Sequence, residues 1–256
     1  MKPDFVAHNI RLDDGSYTRS AASPGMDAHP WFISTKRLLD TVFPGDRSKV
    51  RIADLGCLEG GYAVEFARLG FDSMGLEVRE SNFAACEYVK SKTNLPNLRF
   101  VRDDAWNIAK YGSFDAVFCC GLLYHFDRPR AYLQLLGQVC EKLLILRTHF
   151  ATPDDTANTK HPLSKMAENE GVPGRWYREK IAGDAEFAHR EQYKLASWDN
   201  RTSFWIQREY ILQTMREAGF GAVLEQFDDL GDNMAETILK GYYHTDGRGT
   251  FIGIKA

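Results

Sequence analysis

The chain has 256 residues, 44% of them hydrophobic and 26% charged, with a formal net charge of -3. That is enough apolar material for one large core with an appended subdomain. No run of about 18 apolar residues is present, so no membrane span is expected. The N-terminus lacks the apolar stretch of a secretory signal, and the expected location is the cytosol. A mildly acidic chain without a cluster of five or more Lys/Arg argues against a nucleic-acid partner, which would call for a basic face. Cys57, Cys86, Cys119, Cys120 and Cys140 show no C-x-x-C spacing and read as reduced thiols with no zinc site.

In chain order, "PWFISTKRLLDTVFP" (30–44) reads as a helix preceding the first strand. "VRIADLG" (50–56) is a buried strand, "GYAVEFARLG" (61–70) a helix, "DSMGLEV" (72–78) a strand, and "RESNFAACEYVKSKTN" (79–94) a helix. "NLRFVRD" (97–103) and "FDAVFCCG" (114–121) are strands, "RPRAYLQLLGQVC" (128–140) is a helix with Pro129 in its first turn, and "KLLILRTHF" (142–150) is a strand. Strands alternating with helical stretches of roughly 10–15 residues predict βαβ units and a parallel sheet with helices on both faces. The pattern breaks after Phe150, and residues 151–198 read as a binding insert carrying short helices. "WIQREYILQTMREAGF" (205–220) reads as an amphipathic helix, and "AVLEQFDDL" (222–230) and "GTFIGIKA" (249–256) as two strands joined by a long connection. The expected organisation is an N-terminal cap and leading helix (1–49), a core (50–150), an insert covering the acceptor (151–204), and a C-terminal helix and strand pair completing the core (205–256).

The stretch "ADLGCLEGGYA" (53–63) places glycines at the carboxyl end of the first strand, where open parallel sheets bind ligands. Its spacing excludes two nucleotide motifs. The dinucleotide fingerprint G-x-G-x-x-G needs a glycine where Leu58 stands, and no Gly-Lys-Ser/Thr follows to make a P-loop. The glycines suit a ligand without phosphates that lies flat across the turn.

Four segments in order resemble the class I S-adenosylmethionine-dependent methyltransferases: "DLGCLEGG", "GLEVRE", "RDDAW" and "FDAVFCCGLLYHF". The resemblance covers roughly residues 50–150. It implies a Rossmann-like, mostly parallel seven-stranded sheet whose last strand is antiparallel and inserted between its neighbours, with helices on both faces and a lid-like insert after strand five. It further implies S-adenosylmethionine as cofactor. Asp54 and Gly56 would meet its amino-acid tail, and Cys57, Leu58 and Gly60 complete the turn. Glu77 would accept the ribose hydroxyls with Val78 beside it. Asp104 and Ala105 would meet the adenine, with Asp103 an open alternative to Asp104, and Gly121 and Tyr124 would face the methyl group. Ordinary roles compete with these: tight-turn glycines, a helix-start acid at Glu77, and an N-cap at Asp104.

His125 and His149 stand where strands four and five should end, and histidine suits removal of a hydroxyl proton. His149, at the end of a rigid strand, is ranked first as base and His125 as its acceptor-orienting partner, with a rate that rises through an ionisation near neutrality. "GRWYRE" (174–179) and "SWDNRTSFW" (197–205) offer Arg175, Trp176, Arg178, Trp198 and Trp205 to an acceptor ring or sugar, with ordinary packing as the alternative for each. "GLLYHFDRP", the later helix and "GRGTFIGIK" are similar to a branch holding tRNA wobble-uridine carboxymethyltransferases and sugar or natural-product O-methyltransferases. In the former an arginine before the last strand meets the carboxylate of carboxy-S-adenosylmethionine, and Arg248 falls there. The favoured expectation is methyl transfer to a small-molecule hydroxyl. The alternatives are tRNA modification and, from another class, a non-catalytic cofactor-binding partner subunit. Asp154–Asp155 form an acidic pair without a complete metal-ligand set, and the oligomeric state stays open.

Overall fold

The computed structural model describes residues 2–153, 161–240 and 247–255. Helix α1 (Pro30–Val42) starts at Pro30, tolerated in the first turn, with the His29 ring accepting the Trp31 N–H. Strands β1 (Arg51–Leu55), β2 (Asp72–Glu77) and β3 (Leu98–Arg102) alternate with helices α2 (Gly61–Arg68) and α3 (Glu80–Ser91). The strands pair in parallel, β1 with β2 and β2 with β3. Helix α2 buries seven of its eight residues, as expected of a crossover helix whose apolar residues run nearly all round.

Strand β4 (Phe114–Cys120) is followed by helix α4 (Pro129–Val139) and the ten-residue β5 (Cys140–His149), buried from Leu143 to Thr148. Beyond it come β6 (Ala167–Asn169), β7 (Val172–Arg178), helix α5 (Asp184–Ala188), β8 (Thr202–Ile206), α6 (Arg208–Glu217), β9 (Ala222–Gln226), α7 (Met234–Leu239) and β10 (Arg248–Ile254). The seven-stranded sheet has the order β3-β2-β1-β4-β5-β10-β9, and β10 runs antiparallel to both β5 and β9. The expected inserted, antiparallel last strand is therefore present. By backbone contacts the chain forms two compact units, residues 1–118 and 119–256.

The insert departs from expectation. Instead of short helices alone, it carries a three-stranded antiparallel sheet, β6-β7-β8, together with the short helix α5 and a 3-10 turn at Arg190–Gln192. "GRWYR" lies on β7, and Trp205 lies on β8 rather than at the start of a helix; α6 begins three residues later, at Arg208. The reason is cross-strand pairing. Aromatic and β-branched residues opposite one another outweigh the helical periodicity read from 205 onward.

No helix among the described residues is long and apolar enough to cross a membrane. All five cysteines are free thiols. The acidic pair Asp154–Asp155 lies outside the described residues.

Candidate functional site

In the first unit the chain leaves β1 through Gly56, Leu58 and Gly60, all with positive φ (64°, 54° and 82°). Gly60 has a second reason to be glycine: a Cβ there would stand 2.5 Å from the Phe100 ring. Leu58 is held in a conformation that side chains disfavour by its N–H, which donates to Glu77 Oε2 at 2.9 Å. The other oxygen of Glu77 accepts the Arg79 N–H at 2.8 Å. Burial raises this carboxyl to about 7, against the hydrogen bonds from Arg79 and Leu58, the Arg79 charge and the Asn82 side chain. Glu77 thus ties the turn to the end of β2 and remains acceptor-only when ionised.

Asp54 is buried and accepts the Ala63 N–H in the first turn of α2 at 3.1 Å. Burial drives its pKa to about 8; the Ala63 bond opposes this and the nearby Glu77 charge adds to it. Cys57 is buried, its sulfur 3.8 Å from that of Cys86, and burial raises its pKa strongly. Val78 is half-buried just beyond β2.

Asp104 does cap the following 3-10 turn, accepting the Trp106 N–H at 2.8 Å through Oδ1, with Ala105 buried behind it. The two aspartates are bonded differently. Asp103 commits both oxygens, Oδ1 to the Asp104 N–H and Asn107 and Oδ2 to the Tyr111 hydroxyl, and the Tyr111 bond leads in holding its pKa down. Asp104 uses Oδ1 for the cap.

Two residues of this region gave no signal in isolation. Glu59, fully buried inside the turn, accepts the backbone N–H groups of Val6, Ala7 and His8. The His8 ring accepts the Gly61 N–H at 3.0 Å, and burial, with His29 and Arg19 nearby, lowers its pKa to about 4. The N-terminal segment is thereby strapped to the glycine turn. A carboxylate amid the apolar and glycine residues of "CLEGG" was the available hint.

In the second unit a cluster of rings forms around Trp205. This side chain is 1% exposed, and its Nε1 donates to the Tyr124 carbonyl at 2.9 Å. His149 stacks on it, centroids 4.7 Å apart and planes 10° apart, and Tyr177 stacks at 5.2 Å. Tyr124 meets His149 edge-on at 4.7 Å, and His161 lies 5.0 Å from His149. Arg248, opposite His149 in the β5–β10 register, holds its guanidinium 5.7 Å from the Tyr124 ring centre. A Cβ on Gly121 would lie 3.5 Å from the Tyr124 hydroxyl and 3.6 Å from Arg248 Nη2, so these groups converge there.

His149 does not match the expectation of a group titrating near neutrality. Burial, then the charges of Arg248 and His161, push its pKa to about 3. Its Nδ1 lies 3.3 Å from the Gly247 carbonyl. A neutral ring donates there. His125 is held differently: its Nδ1 is 2.9 Å from Glu179 Oε1, and Ser203 Oγ donates to the same oxygen at 2.6 Å. Glu179 is only 3% exposed. It stands at the end of "GRWYRE", where the arginines and the tryptophan are the more conspicuous candidates.

Strand alternation sorts the insert residues. Arg175 pairs with Trp205 and Tyr177 with Ser203, which sets these four on one face of the β7–β8 ladder. Trp176 and Arg178, offered by the sequence to an acceptor, lie opposite Phe204 and Thr202 on the other face, away from the ring cluster. Trp176 packs on Phe204 at 5.0 Å, and Arg178 is exposed. Arg175 is on the cluster's face but buried, its guanidinium donating to the carbonyls of Thr152, Pro153 and Ser164. It fastens the insert instead of offering charge to an acceptor. Trp198 lies under the Arg190 guanidinium at 4.5 Å.

Residues 52–142 match a family model described as a methyltransferase domain. The chain is 25% identical over 204 residues to the tRNA U34 carboxymethyltransferase of Sulfurimonas denitrificans, covering 72% of this chain; it spans only 60% of that curated relative's length. The N-terminal domain of EvdMO1, crystallised in the presence of S-adenosylhomocysteine (SAH) and D-fucose, shares the fold with a TM-score of 0.67 at 22% identity, over 97% of this chain and 90% of that one. CalS10, an amino pentose methyltransferase from Micromonospora echinaspora, aligns with a TM-score of 0.54 at 15% identity, over 89% and 91%. Residues 52–142 are a methyltransferase domain, built on the class I, Rossmann-like fold.

Proposed function

We propose that the chain is an S-adenosylmethionine-dependent methyltransferase that acts on a hydroxyl of a small molecule, a sugar or a natural-product metabolite. One observation carries the reading: the pair of buried carboxyls, Asp54 and Glu77, at the glycine turn, which a ligand bringing positive charge and hydroxyl donors would draw into the ionised, accepting form. Such a pair suits a ligand that brings donors, an ammonium and ribose hydroxyls, and repels one that brings phosphates. The residues therefore fit the adenosine and amino-acid portions of S-adenosylmethionine, with Glu77 on the ribose, Asp104 on the adenine amino group and Asp54 toward the tail.

When bound, the cofactor supplies an activated methyl group. The chain's own task is alignment, which can contribute about 7–11 kcal/mol, and removal of the acceptor proton, about 10²–10⁴ in rate. In the second unit His125, backed by Glu179, is the better base, because a carboxylate holds its ring. His149 and Trp205 form an apolar, stacked wall suited to the CH face of a sugar. The insert is read as the cover of the acceptor. The net charge of -3 supports a small molecule over RNA.

A second reading has its own observation. Arg248 and the Tyr124 hydroxyl converge near Gly121, and such a pair suits a donor that carries a carboxylate, as carboxy-S-adenosylmethionine does. One experiment separates the readings. Labelled S-adenosylmethionine is offered with D-fucose and a panel of glycosides, and separately with bulk tRNA; carboxy-S-adenosylmethionine replaces it in a parallel set. Label on a glycoside is expected. Transfer only to tRNA, or submicromolar salt-dependent tRNA binding, replaces the reading by the second. Binding of SAH without transfer to any acceptor leaves a non-catalytic partner subunit.

A further inference from the structure

A histidine can act as a base only if its lone pair is on the nitrogen that faces the proton. The tautomer is set by what the other nitrogen meets. At His125 that other nitrogen is Nδ1, 2.9 Å from the buried Glu179 carboxylate. An ionised carboxylate only accepts, so the ring proton is placed on Nδ1 and the lone pair on Nε2. Glu179 is itself fixed. Ser203 donates to its Oε1 from β8, and its backbone N–H binds the Arg201 carbonyl at 3.0 Å.

The same part of the insert holds the backbone beneath the ring. Asn200 Nδ2 donates to the His125 carbonyl at 2.8 Å and Ser197 Oγ at 3.3 Å, while Trp205 Nε1 holds the neighbouring Tyr124 carbonyl. β8 and the loop that precedes it thus hold the 124–125 turn through several side chains. A cover alone would need none of these bonds.

We infer that Glu179 is the positioning residue of the methyl-transfer reaction, fixing the tautomer and direction of the His125 ring and balancing the charge it acquires. This rests on the hydroxyl-methylation reading. As the acceptor oxygen bonds the methyl carbon, the carbon–sulfur bond breaks and its electron pair stays on sulfur. The hydroxyl proton passes to His125 Nε2. The imidazolium so formed faces the Glu179 carboxylate until the proton is lost to water.

The test has two arms. The full chain, labelled with 15N-histidine, is examined by long-range 1H–15N correlation near neutral pH, with His125→Asn identifying the His125 signals. The wild type is expected to show a protonated Nδ1 and an unprotonated Nε2. Glu179→Gln, nearly isosteric, and the milder Ser203→Ala are expected to give a mixture of tautomers in chains that melt normally. An Nε2-protonated ring in the wild type, or spectra unchanged in both variants, overturns the inference. In the second arm, turnover is measured on the glycoside found above, with D-fucose the first probe. Glu179→Gln should lower kcat roughly 10²-fold with KM little changed, should alter the pH dependence of kcat, and should be partly rescued by Glu179→Asp. Unchanged kcat also overturns it. If no glycoside accepts methyl, the hydroxyl reading fails, while the spectra still decide the placement of the ring proton.

Discussion

The glycine turn of the first unit and the ring cluster of the second are built on opposite plans. The turn is local: Glu77 reaches Leu58 across 19 positions and Asp54 reaches Ala63 across nine, and in both bonds the donor is a backbone N–H. The cluster is non-local: His125 meets Glu179 across 54 positions, Trp205 meets Tyr124 across 81, and the donors are side chains from several elements. Backbone donors at fixed spacing dictate residue type, so a local site writes itself into a motif. A cluster assembled by tertiary pairing leaves no such spacing. The contrast predicts that damage to the turn should appear as lost cofactor affinity, and damage to the cluster as lost turnover.

The largest expected effect tests the second half of that division. His125→Ala should lower turnover about 10²–10⁴-fold, while SAH affinity by calorimetry stays near wild type, since His125 is not among the residues proposed to hold the cofactor. A parallel loss of affinity would erase the distinction between the two regions.

Glu77→Ala tests the first half. It removes the acceptor that holds Leu58 and the one proposed for the ribose, so SAH binding should weaken by about 1–3 kcal/mol. Calorimetry with unchanged affinity would remove Glu77 from the binding role and leave it only pinning the turn.

What was legible follows the same division. The alternation of strands and helices and the glycine turn follow from short-range pattern; the inserted antiparallel β10, paired with a distant β5, was legible only through the family resemblance. The insert's sheet was not, because β7 and β8 pair across more than 20 intervening residues, with Trp176 opposite Phe204 at the centre of that ladder. Nor was Glu179, or the strap from Glu59 to His8, which spans 51 positions even though it belongs to the otherwise local turn. Long separation, not distance from the motif, is what hid a residue.

The pH dependence of stability sharpens the comparison next, because the turn holds two carboxyls raised by burial. The folded pKa of Asp54, about 8, lies above its ordinary 3.8, and that of Glu77, about 7, above 4.5. Groups raised in this way stabilise the fold fully below their unfolded values, and that contribution is lost as pH rises through the folded ones. His8 works the other way: lowered to about 4, it contributes stability above about 6.5 that is lost as pH falls toward 4. Between pH 6.5 and 8 only the carboxyls of these three are still changing. The free protein should therefore lose stability across that interval in denaturant melts, and Asp54→Asn should flatten the slope. A slope that Asp54→Asn leaves intact would place its origin outside the turn.

The smallest effect is expected at His149, the residue that strand position alone ranks first. A base that reports its ionisation in the rate must titrate in the working range, and His149, at about 3, is neutral throughout it. Its ring has packing duties instead: one face on Trp205, an edge of Tyr124 against it, and Nδ1 toward the Gly247 carbonyl. Phenylalanine keeps the stacking and forfeits only that 3.3 Å contact. His149→Phe should therefore cost less than about tenfold in turnover, the order of a single weak hydrogen bond, and should leave the pH–rate profile of the wild type between pH 5 and 9 in place. The double variant with His125→Ala should be no slower than His125→Ala by more than that same factor, as for sites that act independently. A loss of 10² or more in His149→Phe alone would return the base to the end of β5, and with it the strand-end logic that the Glu179 pairing displaces.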